Sequence, residues 1–142
     1  MHRGYALAEL AIVLAVIGIV TALALPGWGT LLDRIAVERT AAEVTTALAI
    51  ARYAAVLRAT RARLTIAADS LRVDEWGNGG WMTVWHCPGP DWHAVSLSVS
   101  NSSIVFGPTG VGWGTANTAV LLRRGTKTAK ITTSRVGRVK RW

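Results

Sequence analysis

From Tyr5 to Leu25 the chain reads Ala, Leu, Ile and Val almost without interruption, and Glu9 is the only charge in the run. About twenty apolar residues at 1.5 Å rise match a bilayer core of roughly 30 Å, so the pattern predicts a membrane-spanning helix. A secretory signal peptide also starts basic, but its apolar stretch is about 7 to 15 residues long and ends at a small-x-small cleavage site. Here Pro26, Gly27, Trp28 and Gly29 follow instead. His2 and Arg3 put the amino terminus on the cytoplasmic side by the positive-inside rule. The body then faces outward and Trp28 falls at the far interface.

After Pro26 the period changes. Val37, Ala41, Val44, Leu48, Ala51 and Ala55 recur at spacings of four and three, which predicts one buried seam of an amphipathic helix. Asp33, Arg34, Glu38, Arg39, Glu43 and Arg52 lie mostly off that seam. The two stretches predict one very long helix, interrupted or kinked where Pro26 removes a donor and Gly27 weakens the ladder. Beyond it the period falls to two. LTIAADSLRVDEW alternates about an Ala-Asp-Ser turn, WMTVWHC and VSLSVSNSSIVFG read as strands, and TAVLLRRGTKTAKITTS reads as a hairpin turning at Arg-Gly-Thr. The expectation is an α+β chain in which one sheet of several antiparallel strands packs on the second half of the helix.

Charge sharpens this picture. Sixteen Lys and Arg stand against eight Asp and Glu, a net charge of +8. All of that excess sits in the last twenty residues, which carry Arg123, Arg124, Lys127, Lys130, Arg135, Arg138, Lys140 and Arg141 and no acid. An acid-free basic segment on a neutral body points to an anionic partner, nucleic acid or lipid headgroups, or to a solubilising face. The single cysteine, Cys87, excludes an internal disulfide.

Candidate chemistry is sparse. WHCPGPDWH gathers His86, Cys87, Asp91 and His93, but His86 and Cys87 are adjacent on a strand and point to opposite faces. Zinc sites prefer two spaced ligand pairs, so no metal site is expected. A Cys-His nucleophile has no evident orienting group. GPTGVGWG lacks the lysine and the strand-to-helix setting of a phosphate loop. The reading is of a non-enzyme without cofactor. Trp81 and Trp85 are expected on one strand face, with Trp76 and Trp92 nearby; stacking on unpaired bases is one use for such rings and core packing the commoner one.

The stretch GYALAEL resembles the type III signal of prepilin-like proteins, in which a short basic leader ends in glycine, an aromatic residue begins the mature chain and a glutamate stands fifth in it. ALAIARYAAVLRATRARLTI, IVFGPTGVGWG and KITTSRVGRVKRW look like the type II secretion minor pseudopilin H and FimT group. The resemblance implies a type IV pilin-like fold with a leader at 1–4, a membrane and assembly half of the helix at 5–25, its amphipathic half at 26–62 and a β-rich domain at 63–142. It implies cleavage between Gly4 and Tyr5 by a prepilin peptidase, methylation of the new Tyr5 amino group, and an assembly role for Glu9 and Pro26. Ala6, Ala8 and Tyr5 depart from the commoner residues without removing the cleavage signal.

Two functions follow from the resemblance. One is a minor subunit of a secretion pseudopilus or type IV pilus, anchored in the bacterial inner membrane with its domain periplasmic, partnered by other pilins and the assembly platform. The other is DNA capture, because FimT-like minor pilins include DNA receptors in which a Gly-Arg-x-Arg motif is implicated. This chain has Gly137, Arg138, Val139 and Lys140 there, which keeps the charge and loses the second guanidinium.

Overall fold

The computed structural model describes residues 3–114 and 116–142, with the side chains at 3–5 and 24–26 outside the described set. The chain divides into two compact units, Met1–Leu32 and Asp33–Trp142. Helix α1 runs Arg3–Leu57. The kink expected at Pro26 concerns a side chain outside the described residues.

In the first unit α1 is apolar all round. Ala6–Leu23 averages a hydropathy of 2.5, has none of its residues buried, and is long enough to cross a membrane. Thr21 returns its hydroxyl to the Ile17 carbonyl at 2.7 Å, so this residue presents no unpaired donor to an apolar surrounding.

In the second unit the predicted seam is the core. Val37, Ala41, Val44, Leu48, Ala51 and Ala55 are all buried, with Ala47 beside them. The helix stops in a Schellman motif: Ala59 takes φ +49°, its N–H bonds Val56 O at 3.2 Å and the Thr60 N–H bonds Ala55 O at 3.1 Å. It therefore ends short of residue 62, and β1 opens there.

Nine strands follow among the described residues: β1 Ala62–Ile66, β2 Ser70–Gly77, β3 Gly80–Pro88, β4 Ser96–Val99, β5 Ser103–Phe106, β6 Gly112–Trp113, β7 Thr118–Arg124, β8 Lys127–Thr133 and β9 Val139–Arg141. They form two antiparallel sheets rather than the single sheet expected, a first in the order β3-β2-β1-β5-β6 and a second in the order β4-β7-β8-β9. Alternation fixes which face of a strand is buried and leaves its pairing partner open. SLSV and SIVF therefore look like neighbours in the sequence, yet β4 pairs with β7 and β5 with β1. Ala62, Leu64, Ile66, Val73, Ile104 and Phe106 of the first sheet join Val120, Leu122, Ala129 and Ile131 of the second in one core with the helix seam.

Two local devices shape the first sheet. Asn78 and Gly79, at φ +50° and +80°, make the two-residue hairpin between β2 and β3, where Asn-Gly meets the demand for positive φ at both positions. A bulge shifts the β2–β3 register between Val73 and Asp74, so Trp85 faces Val73 while Thr83 faces Asp74. The extra residue corrects the expectation for the tryptophans: Trp81 and Trp85 lie on opposite faces, because a bulge resets the two-residue period. Trp85 packs on the core.

Candidate functional site

Glu9 is exposed on α1, ringed by exposed apolar side chains such as Leu7, Leu10, Ile12 and Val13. It is the one charge between Ala6 and Leu23. Gly4 and Tyr5 lie in the first turns of the helix backbone, and their side chains are outside the described residues.

Strand alternation divides the eight basic residues of the carboxy-terminal segment. Arg124 and Arg141 are at inward-facing positions and bind carboxylates of α1. Arg124 Nε lies 2.9 Å from Asp33 Oδ1 and its Nη1 donates to the His93 carbonyl at 2.6 Å, while Arg141 Nη2 donates to Glu38. Lys127 lies beside Arg34 and Glu38. Arg124 and Arg141 thus fasten the second sheet to the helix.

The others face out. Arg123, Lys130 and Lys140 are exposed on the outer face of the second sheet, where their cross-strand partners are Thr128, Leu121 and Thr132. Arg138 and Lys140 line a hollow of about 380 Å³ with Asn117, Thr132, Thr133 and Ser134, and exposed Arg135 lies in the β8–β9 turn. Strands β7, β8 and β9 contain no acidic residue, so this face is positive without local compensation.

Gly137, next in the chain to Arg138, packs instead against α1. It adopts φ +76°, and a Cβ there would lie 3.0 Å from the Gly110 carbonyl oxygen and 3.2 Å from the Arg52 guanidinium carbon. Arg52 Nη1 in turn donates to the Gly137 carbonyl at 3.4 Å. Substituting Gly137 with valine should cost about 1–3 kcal/mol of stability, read as a lower melting temperature, whereas Arg138→Ala should leave stability nearly unchanged.

His86 faces out opposite Arg72, whereas Cys87 and His93 line one pocket of about 340 Å³ with Glu43, Trp85 and Trp92. Glu43 accepts from His93 Nε2 at 3.1 Å and from Arg39 Nε at 3.2 Å. Cys87 Sγ donates to the Pro88 carbonyl, and burial, with the nearby Glu43 carboxylate, raises the thiol pKa above its ordinary value. That opposes thiolate formation. Among the described residues no three of His, Cys, Asp and Glu gather as metal ligands would.

One site escaped the sequence reading. Asp74 lies on the outer face of the first sheet but is only 2% exposed. Arg63 Nη2 donates to its Oδ2 at 2.8 Å, Thr83 Oγ1 donates to its Oδ1 at 2.8 Å, and Arg72 Nε lies 3.2 Å from Oδ1. Desolvation pushes its pKa up, but the hydrogen bonds from Arg63 and Thr83 and the charges of Arg72 and Arg63 outweigh it, so the net pKa is lowered. The Arg72-x-Asp74 spacing, which puts both on one strand face, was the available signal.

A long helix packed on antiparallel sheets, with an apolar amino-terminal half, is the architecture of pilin-like proteins. Residues 40–137 match the family described as Type II transport protein GspH, and the chain belongs to that family of structural, non-enzymatic pseudopilins. Among solved structures, the Pseudomonas aeruginosa type IV minor pilin FimU is similar at a TM-score of 0.65 and 14% identity, covering 76% of this chain and 89% of FimU. The minor pseudopilin EpsH from the Type 2 Secretion System of Vibrio cholerae is similar at a TM-score of 0.60 and 10% identity, covering 75% and 95%. No curated protein sequence matches the chain.

Proposed function

We propose that the chain is a minor subunit of a type II secretion pseudopilus or type IV pilus that assembles through its amino-terminal helix. The observation that carries this is the fully exposed apolar stretch Ala6–Leu23, attached to a folded body and broken only by Glu9. In this reading a prepilin peptidase cuts between Gly4 and Tyr5 and methylates the Tyr5 amino group. The helix is held in the inner membrane with the body periplasmic, and the assembly platform then moves it into a filament beside other pilins.

A carboxylate in such an apolar setting costs about 2.5–3.5 kcal/mol unless it is paired. Glu9 is one helical turn from Tyr5, so the freed amino group of a neighbouring subunit is a partner that also fixes the axial stagger. Glu9→Ala co-produced with partner pilins should accumulate in the membrane and be depleted from filaments about tenfold or more, a factor set by the loss of roughly 1.4 kcal/mol or more. Normal incorporation of Glu9→Ala would overturn the pairing.

A second reading is favoured by the acid-free outer face of the second sheet. There Arg123, Lys130, Arg138 and Lys140 would track the phosphates of duplex DNA, with Arg135 at the margin. Four or five phosphate contacts predict a slope of log affinity against log salt of roughly −4, with little sequence preference. Anionic lipid or heparin would show the same salt dependence, so competition by either separates a general anion surface from a DNA site. Retention of duplex DNA unchanged by Arg138→Ala with Lys140→Ala would exclude this face.

A further inference from the structure

The outer face of the first sheet carries three cross-strand rows of side chains. The first joins Trp81 on β3 to Trp76 on β2, with Arg61 next, since its carbonyl accepts from the Trp76 N–H at 2.8 Å. The second runs Thr83, Asp74, Arg63, Val105 and Trp113 across all five strands, and the third His86, Arg72, Thr65 and Ser103. Three indoles and three guanidiniums are thus interleaved on one surface. Arg63 lies over the Trp81 ring at 4.5 Å and Arg61 over the Trp113 ring at 4.7 Å. Trp76 meets Trp81 edge-on, with centroids 5.3 Å apart.

We propose that this face is a binding platform for single-stranded nucleic acid. Trp113 is 57% exposed and Trp76 41% exposed, so neither ring is used up by the core. Three arginines stand against one carboxylate, Asp74, and that carboxylate is enclosed. The outward charge is positive, and a ligand has to supply negative charge together with flat rings. Asp74 holds Arg63 and Arg72 in place from beneath, so little side-chain freedom remains to be lost on binding. Strands lie about 4.8 Å apart and residues rise about 3.4 Å along them, which puts Trp113 on β6, three strands over and two residues along, about 16 Å from Trp76 on β2, the reach of a few nucleotides laid across the sheet. Bases stack on indole and guanidinium planes while phosphates meet the arginines. A duplex keeps its bases stacked inside and leaves the indoles unused; an acidic polysaccharide can lay only pyranose C–H faces on indole, and the heparin comparison below separates it from a single strand.

This inference does not rest on the basic face of the second sheet or on filament assembly. The test uses the full chain in detergent micelles and a labelled oligothymidylate of about a dozen nucleotides, followed by anisotropy and by quenching of tryptophan emission. Single strands should bind more tightly than a duplex of equal length. Trp76→Ala and Trp113→Ala should each weaken binding roughly 5- to 100-fold, with Trp113→Phe restoring most of the loss. Arg61→Ala, an exposed change that spares the core, should weaken it too. Arg138→Ala with Lys140→Ala should leave the preference for single strands intact. Equal binding of duplex or heparin, or unchanged affinity in the Trp76, Trp113 and Arg61 variants, would overturn the platform. So would a Trp113→Ala protein that binds the oligonucleotide normally but is lost from filaments, because the face would then be a subunit contact.

Discussion

Replacing Asp74 with alanine will destabilise the folded body by about 2–4 kcal/mol at neutral pH. Breaking a buried ion pair on one side typically costs about 3–5 kcal/mol, because the partner is left as an uncompensated charge. Here the stranded partners are Arg63 and Arg72, whose side chains are 27% and 49% exposed, so water recovers part of that loss. Thr83 loses the acceptor of its hydroxyl as well. The pH dependence has a definite sign. The carboxyl pKa is lower in the folded state than in the unfolded chain, so its contribution is complete above the unfolded value of about 3.9 and disappears as pH falls through the folded one. The gap in denaturation midpoint between the native chain and Asp74→Asn should therefore be widest near pH 7 and close on acidification below about pH 4. A gap that stayed constant from pH 7 to pH 3 would show that Asp74 acts through packing alone.

Asp74 also shows where the sequence stops being legible. Helix spacing named the core seam correctly, since all six of its positions are buried, and it did so because a 3.6-residue period depends on neighbours in the chain. Strand alternation sorted inward from outward residues for the same local reason. It was blind to pairing, and so the division into two sheets, the bulge between Trp81 and Trp85, and the Arg63–Asp74–Thr83 cluster drawn from three strands stayed hidden. The eight basic residues illustrate both sides. Counting charge lumped them into one tail, whereas the two-residue period already assigns Arg124 to the inward face and Arg123 to the outward one. Reading the tail as a strand pair rather than as a composition separates helix staples from free cations.

Phe106→Ala will be the most damaging single truncation in the core, at about 3–5 kcal/mol. Phe106 is 1% exposed and heads the fully buried side chains by volume. It closes β5, one strand in from the β6 edge of the first sheet, opposite Ala62 on β1 and Gly112 on β6. Both neighbours are too small to close over a missing ring, so collapse of the site is limited. On its helix side the ring lines a groove of about 500 Å³ with Leu48, Arg52 and Val56. Total stability for a body of this size is about 5–15 kcal/mol, so the loss is at least about a fifth of it. In urea, with a slope of about 1–3 kcal/mol per molar, the midpoint should fall by roughly 2 M at an unchanged slope. Phe106→Leu refills most of the volume and should cost less than about 1.5 kcal/mol. If alanine and leucine proved equally mild, the helix would be closing onto β5 and the groove would be filled by repacking rather than held open by the ring.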